Sequence, residues 1–83
     1  MHIKEIAAQN QSVLLLVDGS LDAETILVLS EVCKRHWDQN HEIQIDLEGL
    51  IRISREGMDY LQEIQGKTLL IHSPKFVKLG EQE

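Results

Sequence analysis

Residues 13–19, VLLLVDG, are apolar at five consecutive positions and then stop at Asp18-Gly19. A strand with one wet face alternates, so an unbroken run of this kind reads as a central strand covered on both faces. Directly after it the period changes. In SLDAETILVLSEVCKRHWDQNH (20–41), Ile26, Leu29, Cys33 and Trp37 recur three and four residues apart, which gathers them on one helix face. EIQIDL (42–47) then alternates Ile43, Ile45 and Leu47 against Gln44 and Asp46, the period of a strand. A strand, a helix and a strand in this order demand a right-handed crossover and a parallel pairing with the helix packed on the sheet.

The rest of the chain extends the pattern. HIKEIAA (2–8) reads as a short edge strand before the polar turn QNQS. Asp22 suits the N-cap of the first helix and Glu24 its first turn, while Lys34, Arg35 and His36 suit the negative end of its dipole. Glu48-Gly49 reads as a turn, followed by LIRI (50–53) and a second helix from about Arg55 to Gln65. Met58, Leu61 and Ile64 mark the buried face of that helix, and Gly66 ends it. KTLLIH (67–72) is a fourth strand. SPKFVKLG (73–80) starts a short third helix, with Ser73 as cap and Pro74 at the first helical position, and the tail EQE is polar and frayed. The expected fold is α/β: a mixed, mostly parallel sheet of about four strands, flanked by two long helices and a short C-terminal helix.

A chain of 83 residues supports one domain, spanning 1–83. Its only aromatic residues are Trp37, Tyr60 and Phe76, so the core must be built from Leu, Ile and Val. The net charge of −6, with no Lys/Arg stripe interleaved with aromatics, argues against nucleic acid as a partner. A single cysteine, Cys33, forms no intrachain disulfide and fits a reducing compartment. MHIKEIAAQNQ lacks the apolar core of a signal peptide, and VLLLV falls far short of the ~20 residues of a membrane helix. A cytoplasmic protein with no direct membrane insertion is expected.

Few residues suggest chemistry. His2, His36, His41 and His72 lie on separate elements without ligand spacing, so they read as surface histidines and no metal site is expected. Cys33 falls on the apolar helix face and reads as a small core residue. The five glycines are scattered without a phosphate-cradling pattern, no nucleophile–base constellation is present, and neither catalysis nor a cofactor is expected. Two loops remain, DGSLDAET after the second strand and ISREG after the third. In an open parallel sheet such loops gather on one rim, where binding sites form. Capping and turning explain every residue type in them except Arg55.

VLLLVDGSLDAET followed by IQIDLEGLIRISREGMDYL resembles the STAS domain of bacterial anti-sigma factor antagonists. Gly19, Leu21, Asp22 and Ala23 match the family's first motif. Asp46, Leu47, Gly49, Ile53, Gly57 and Leu61 match the second, and TLLIHSPKFVKL fits the next strand and helix start. The resemblance implies a regulatory binding module. In signalling members of the family, a serine at the start of the second helix is phosphorylated by a partner kinase that is also the anti-sigma factor, and the phosphoserine breaks the complex. Aligned on Gly57, this chain carries Ser54-Arg55-Glu56 there. Arg55 stands at the phosphoacceptor position, with positive charge where a phosphate would bring about −2. Ser54 stands one residue early. The chain also ends where family members continue with a strand and a helix, an arrangement expected to leave apolar surface for a homodimer.

The favoured function is therefore a non-catalytic protein-interaction module without the usual switch. Its surface would comprise Gly19, Asp22 and Glu24 from the first loop, Ser54, Arg55 and Glu56 at the junction, and Asp59 and Gln62 with Glu63 on the second helix. The resemblance points to an anti-sigma-type kinase as partner or, alternatively, to the ATPase of an ABC lipid transporter. Two further alternatives are a phosphoswitch moved to Ser54, whose hydroxyl would sit at a helix N-terminus, and a small-ligand or nucleotide site at the loop rim.

Overall fold

A computed structural model describes residues 1–79 of the chain. Six elements follow in order: β1 (His2–Ala7), β2 (Ser12–Leu21), α1 (Thr25–Asp38), β3 (Glu42–Ile53), α2 (Arg55–Ile64) and β4 (Thr68–Ile71). They build one four-stranded sheet in the order β1-β2-β3-β4. β1 runs antiparallel to β2, whereas β2 with β3 and β3 with β4 are parallel. Each parallel step is bridged by a helix, as the expected mixed sheet requires.

Alternation along the strands selects the core. Val13, Leu15 and Val17 of β2 and Ile43, Ile45 and Leu47 of β3 are buried together with Leu29 and Cys33 of α1 and Leu61 and Ile64 of α2. The core is aliphatic, and each fully buried Leu in it is worth about 1.5–3 kcal/mol relative to exposure. The alternate residues face away from both helices. Leu14 and Leu16 there are half-buried, while Ile6 and Leu69 remain 38% and 54% exposed. β2 is therefore central within the sheet, but helices cover it on one face and not two.

Glu48-Gly49 does not turn the chain. β3 runs through it for 12 residues, and the pairing with β2 shifts register between Leu16 and Asp18 and again between Gly19 and Ser20. Each shift inserts an extra β3 residue opposite β2, which is a bulge. The first one resets the alternation, so Leu47 and Leu50, three residues apart, are both buried. β2 likewise continues past Asp18-Gly19 to Leu21. Gly19 has a left-handed φ of 110°, and a Cβ there would lie 3.3 Å from Met1 Cα.

The helix ends also differ from expectation. α1 begins at Thr25 with Glu24 at the cap position, and its last-turn bases are Arg35 and His36, without Lys34. At 14 and 10 residues the two helices are of ordinary length. α2 ends at Ile64 with Gln65 as its cap, just before Gly66. Residues 73–79 form no third helix. They make one turn, in which the Val77 amide donates to the Pro74 carbonyl at 3.0 Å, and the Lys78 amide donates to Met58 Sδ at 3.2 Å. Short helices are marginal without a buried apolar face, and Phe76 is 43% exposed. Gly80 and the tail EQE lie outside the described residues. No described helix is long and apolar enough to cross a membrane.

Candidate functional site

The carboxyl ends of β2 and β3 deliver the two loops to adjoining positions. Leu21 pairs with Ile53, and the Ser54 amide donates to the Leu21 carbonyl at 2.9 Å. Ser54 is extended, with φ −89° and ψ 175°, and its hydroxyl oxygen accepts the Gly57 amide at 3.1 Å. That is an N-cap, and Glu56 in the first turn adds negative charge at the positive end of α2. Gly57 is buried against the end of β2: a Cβ there would lie 2.5 Å from the Leu21 carbonyl oxygen. Only glycine lets α2 approach the end of β2 so closely.

Asp22 caps by a different route from the expected one. Its Oδ1 accepts the amides of Glu24 and Thr25, both at 3.0 Å, and its own amide donates to Thr25 Oγ1 at 2.8 Å. Thr25 Oγ1 in turn donates to the Ser20 carbonyl at 2.8 Å. These bonds, with the Thr25 amide foremost, hold the Asp22 carboxyl below its usual range. The result is a stiff turn over residues 22–24. Gly19, expected in this loop, lies inside β2 instead.

Arg55, Glu56, Asp59, Gln62 and Glu63 are exposed, and Ser54 is half-buried. The structure thus brings the Asp22 turn and the Ser54–Gly57 junction together and leaves the polar face of α2 open beside them. The first turn of α1 adds Leu27 and Val28, at 69% and 48% exposure. Behind this rim, a groove of about 450 Å³ between α1 and α2 is lined by Trp37, Tyr60, Lys34 and Lys67. The Lys67 ammonium stands 4.5 Å from the Trp37 ring centroid. Cys33 is fully buried nearby, and burial pushes its thiol up to about 11, so it is inert at neutral pH.

Two clusters join histidines that the sequence leaves apart. His36 is not a surface residue but is only 8% exposed. Its Nε2 lies 2.8 Å from Glu5 of β1, its Nδ1 lies 2.9 Å from His41 Nδ1, and Arg35 forks onto the same Glu5 at 3.2 and 3.1 Å. Beyond the end of β4, His72 Nδ1 lies 3.1 Å from Oδ2 of Asp46 in the middle of β3, with Glu48 beside them. Parallel pairing of Asp46 with Ile71 produces this second contact, and spacing along the chain carries no sign of it.

No family model matches the sequence, and no curated protein matches it. Solved structures do match. One is the anti-sigma factor antagonist SpoIIAA in its unphosphorylated form, with a TM-score of 0.59 at 18% identity, over 88% of this chain and 76% of that one. At that identity the likeness concerns the backbone arrangement alone: this chain shares the STAS fold of that structure.

Proposed function

We propose that this chain is a non-catalytic regulatory module that docks a protein partner through the rim made by the Asp22 turn, the Ser54–Gly57 junction and the polar face of α2. One observation carries the reading. The fold is that of an anti-sigma factor antagonist, and Arg55 stands exposed at the first position of α2, where the resemblance puts a phosphoacceptor. A guanidinium there is a permanent cation presented on a rigid element, suited to a bidentate pair with a partner carboxylate. The module is read as cytoplasmic, with an anti-sigma-type kinase as its partner.

A phosphoswitch at Ser54 is less well supported. Its oxygen already accepts the Gly57 amide, and the residue is half-buried. The test is affinity capture from the native cytoplasm with wild-type, Arg55→Glu and Asp59→Arg proteins, together with intact-mass analysis of the chain from its host. A nucleotide-binding kinase recovered by the wild type and lost from both variants supports the proposal. Recovery of a transporter ATPase moves the module to that complex, and identical recovery by all three proteins removes the surface. A phosphate adduct abolished by Ser54→Ala would restore the switch.

A further inference from the structure

Asp46, Glu48 and His72 each offer a ligand atom, and these atoms all lie within 4.8 Å of one another. Asp46 precedes the first bulge of β3, Glu48 lies within it, and His72 follows β4 directly with a left-handed φ of 56°. The Asp46–His72 separation of 3.1 Å already matches the spacing of about 3 Å between neighbouring ligands held ~2.1 Å from an ion. We propose that Asp46, Glu48 and His72 bind a divalent first-row transition ion on the face of the sheet that no helix covers.

Three observations separate this arrangement from an ordinary patch of surface acids. The set is mixed: an imidazole nitrogen with two carboxylates favours Zn²⁺ or Mn²⁺ over the oxygen-loving Ca²⁺ and Mg²⁺. Two of the three ligands, Asp46 and Glu48, also border a cavity of about 300 Å³ that Leu16, Val17, Asp18 and Gly49 complete. Finally, Gly49 is a cradle. A Cβ at this position would coincide with Asp18 Oδ1, so the absence of a side chain there is what lets a further carboxylate reach the cavity. Asp46 and Glu48 then meet a single imidazole, with Asp18 lining the cavity beside them, and a cation relieves the mutual repulsion of the carboxylates.

Binding uses the Nδ1 lone pair of His72. If Nδ1 carries the hydrogen directed at Asp46, that hydrogen goes to Nε2 when the ring has one N–H, or to water when it has two, and the freed lone pair takes the ion. Asp46 Oδ1 keeps its bond from the Glu48 amide at 2.9 Å, so Oδ2 remains the ligand oxygen. The site stands apart from the Asp22–Ser54 rim and does not depend on the function proposed for it.

The experiment is calorimetric titration of the full chain with Zn²⁺ and with Mn²⁺, alongside His72→Ala, Glu48→Gln and His41→Ala. Both His72 and Glu48 are exposed, so these variants should fold, and circular dichroism checks that they do. The expected result is one ion per chain, tighter for Zn²⁺ than for Mn²⁺, weakened by roughly tenfold or more in His72→Ala and in Glu48→Gln. Mn²⁺ should also broaden the ring signals of His72 before those of His2, His36 and His41. No binding of either ion at millimolar concentration would overturn the proposal. So would binding that His72→Ala leaves intact, or that His41→Ala abolishes.

Discussion

His36 and His41 meet Nδ1 to Nδ1 at 2.9 Å, so a single hydrogen must lie between them. The end of α1 creates the contact. Asn40 takes a left-handed φ of 62°, its amide donates to the Trp37 carbonyl at 2.9 Å, and the His41 amide donates to the His36 carbonyl at 2.9 Å. This is a Schellman ending, in which the second residue beyond the cap usually makes an apolar contact with the last turn. Here a histidine pair replaces that contact. Nitrogen-15 spectra should show one bare and one protonated Nδ1 in the pair. Truncating His41→Ala strands the buried Nδ1 of His36 and should cost about 1–3 kcal/mol in urea unfolding. An unchanged midpoint would mean that water satisfies His36 equally well.

Glu5 ties the edge strand to the same helix end. Hydrogen bonds from Arg35, then from His36, hold its carboxyl at about 2, below its ordinary 4.5. Because the folded value is the lower one, the contact stabilises the protein fully above the ordinary value and loses that effect as pH falls through about 2. The carboxyl carbon of Glu5 should titrate near the lower value, and Arg35→Ala should move it towards the ordinary one. The stability advantage of wild type over Glu5→Gln should shrink on acidification through this window. An advantage that does not vary with pH would show that the fork contributes packing alone. The magnitude will be modest, because Glu5 and Arg35 are 36% and 51% exposed and solvent screens the pair.

Two glycines of the motif regions make opposite predictions. At Gly57 an added Cβ meets backbone, the Leu21 carbonyl, which cannot yield without shifting α2 from the sheet. Gly57→Ala should cost about 1–3 kcal/mol. At Gly49 the nearest atoms belong to the end of the Asp18 side chain, which is exposed and free to swing away, and the Val17 carbonyl oxygen at 3.0 Å is less close than the Leu21 oxygen is to Gly57. Gly49→Ala should cost less than about 1 kcal/mol while displacing Asp18 from the cavity. Chemical denaturation of both variants checks the order, and equal costs would contradict the distinction.

These cases show what was legible before the structure. Hydrophobic period identified the parallel core, since Ile43, Ile45 and Leu61 each lie where alternation or helical spacing put them, whereas the unbroken run at Val13–Val17 hid the alternation that buries Val13, Leu15 and Val17. Ser54 was readable as a cap because capping is local, whereas the close contact of Gly57 is with Leu21 of another strand. What failed was non-local. Glu48-Gly49 carries turn residues, yet pairing with β2 holds the chain extended and absorbs the surplus as bulges. Ser73-Pro74 carries a helix start, but Val77 and Leu79, which pack against the core, are two residues apart and do not share the helical spacing that a short helix needs. His36 and His72 looked like solvent-facing singletons, because their partners Glu5 and Asp46 come from other strands.

The Ser54 cap allows the local role of the junction to be separated from its proposed docking role. Removing the hydroxyl in Ser54→Ala leaves the Gly57 amide without its acceptor and should cost about 1 kcal/mol, whereas Ser54→Gly should cost only a few tenths. Ser54→Asp keeps an acceptor at the cap and adds negative charge beside the N-terminus of α2, where the dipole favours it. Its stability should equal or exceed that of wild type. If the rim docks a partner through Arg55, Ser54→Asp should weaken that docking even so, because the new carboxylate competes for the neighbouring guanidinium. Urea unfolding and partner capture on the same three variants therefore give different rank orders. Capture that simply follows stability would mean that Ser54 and Arg55 serve the fold and not the interface.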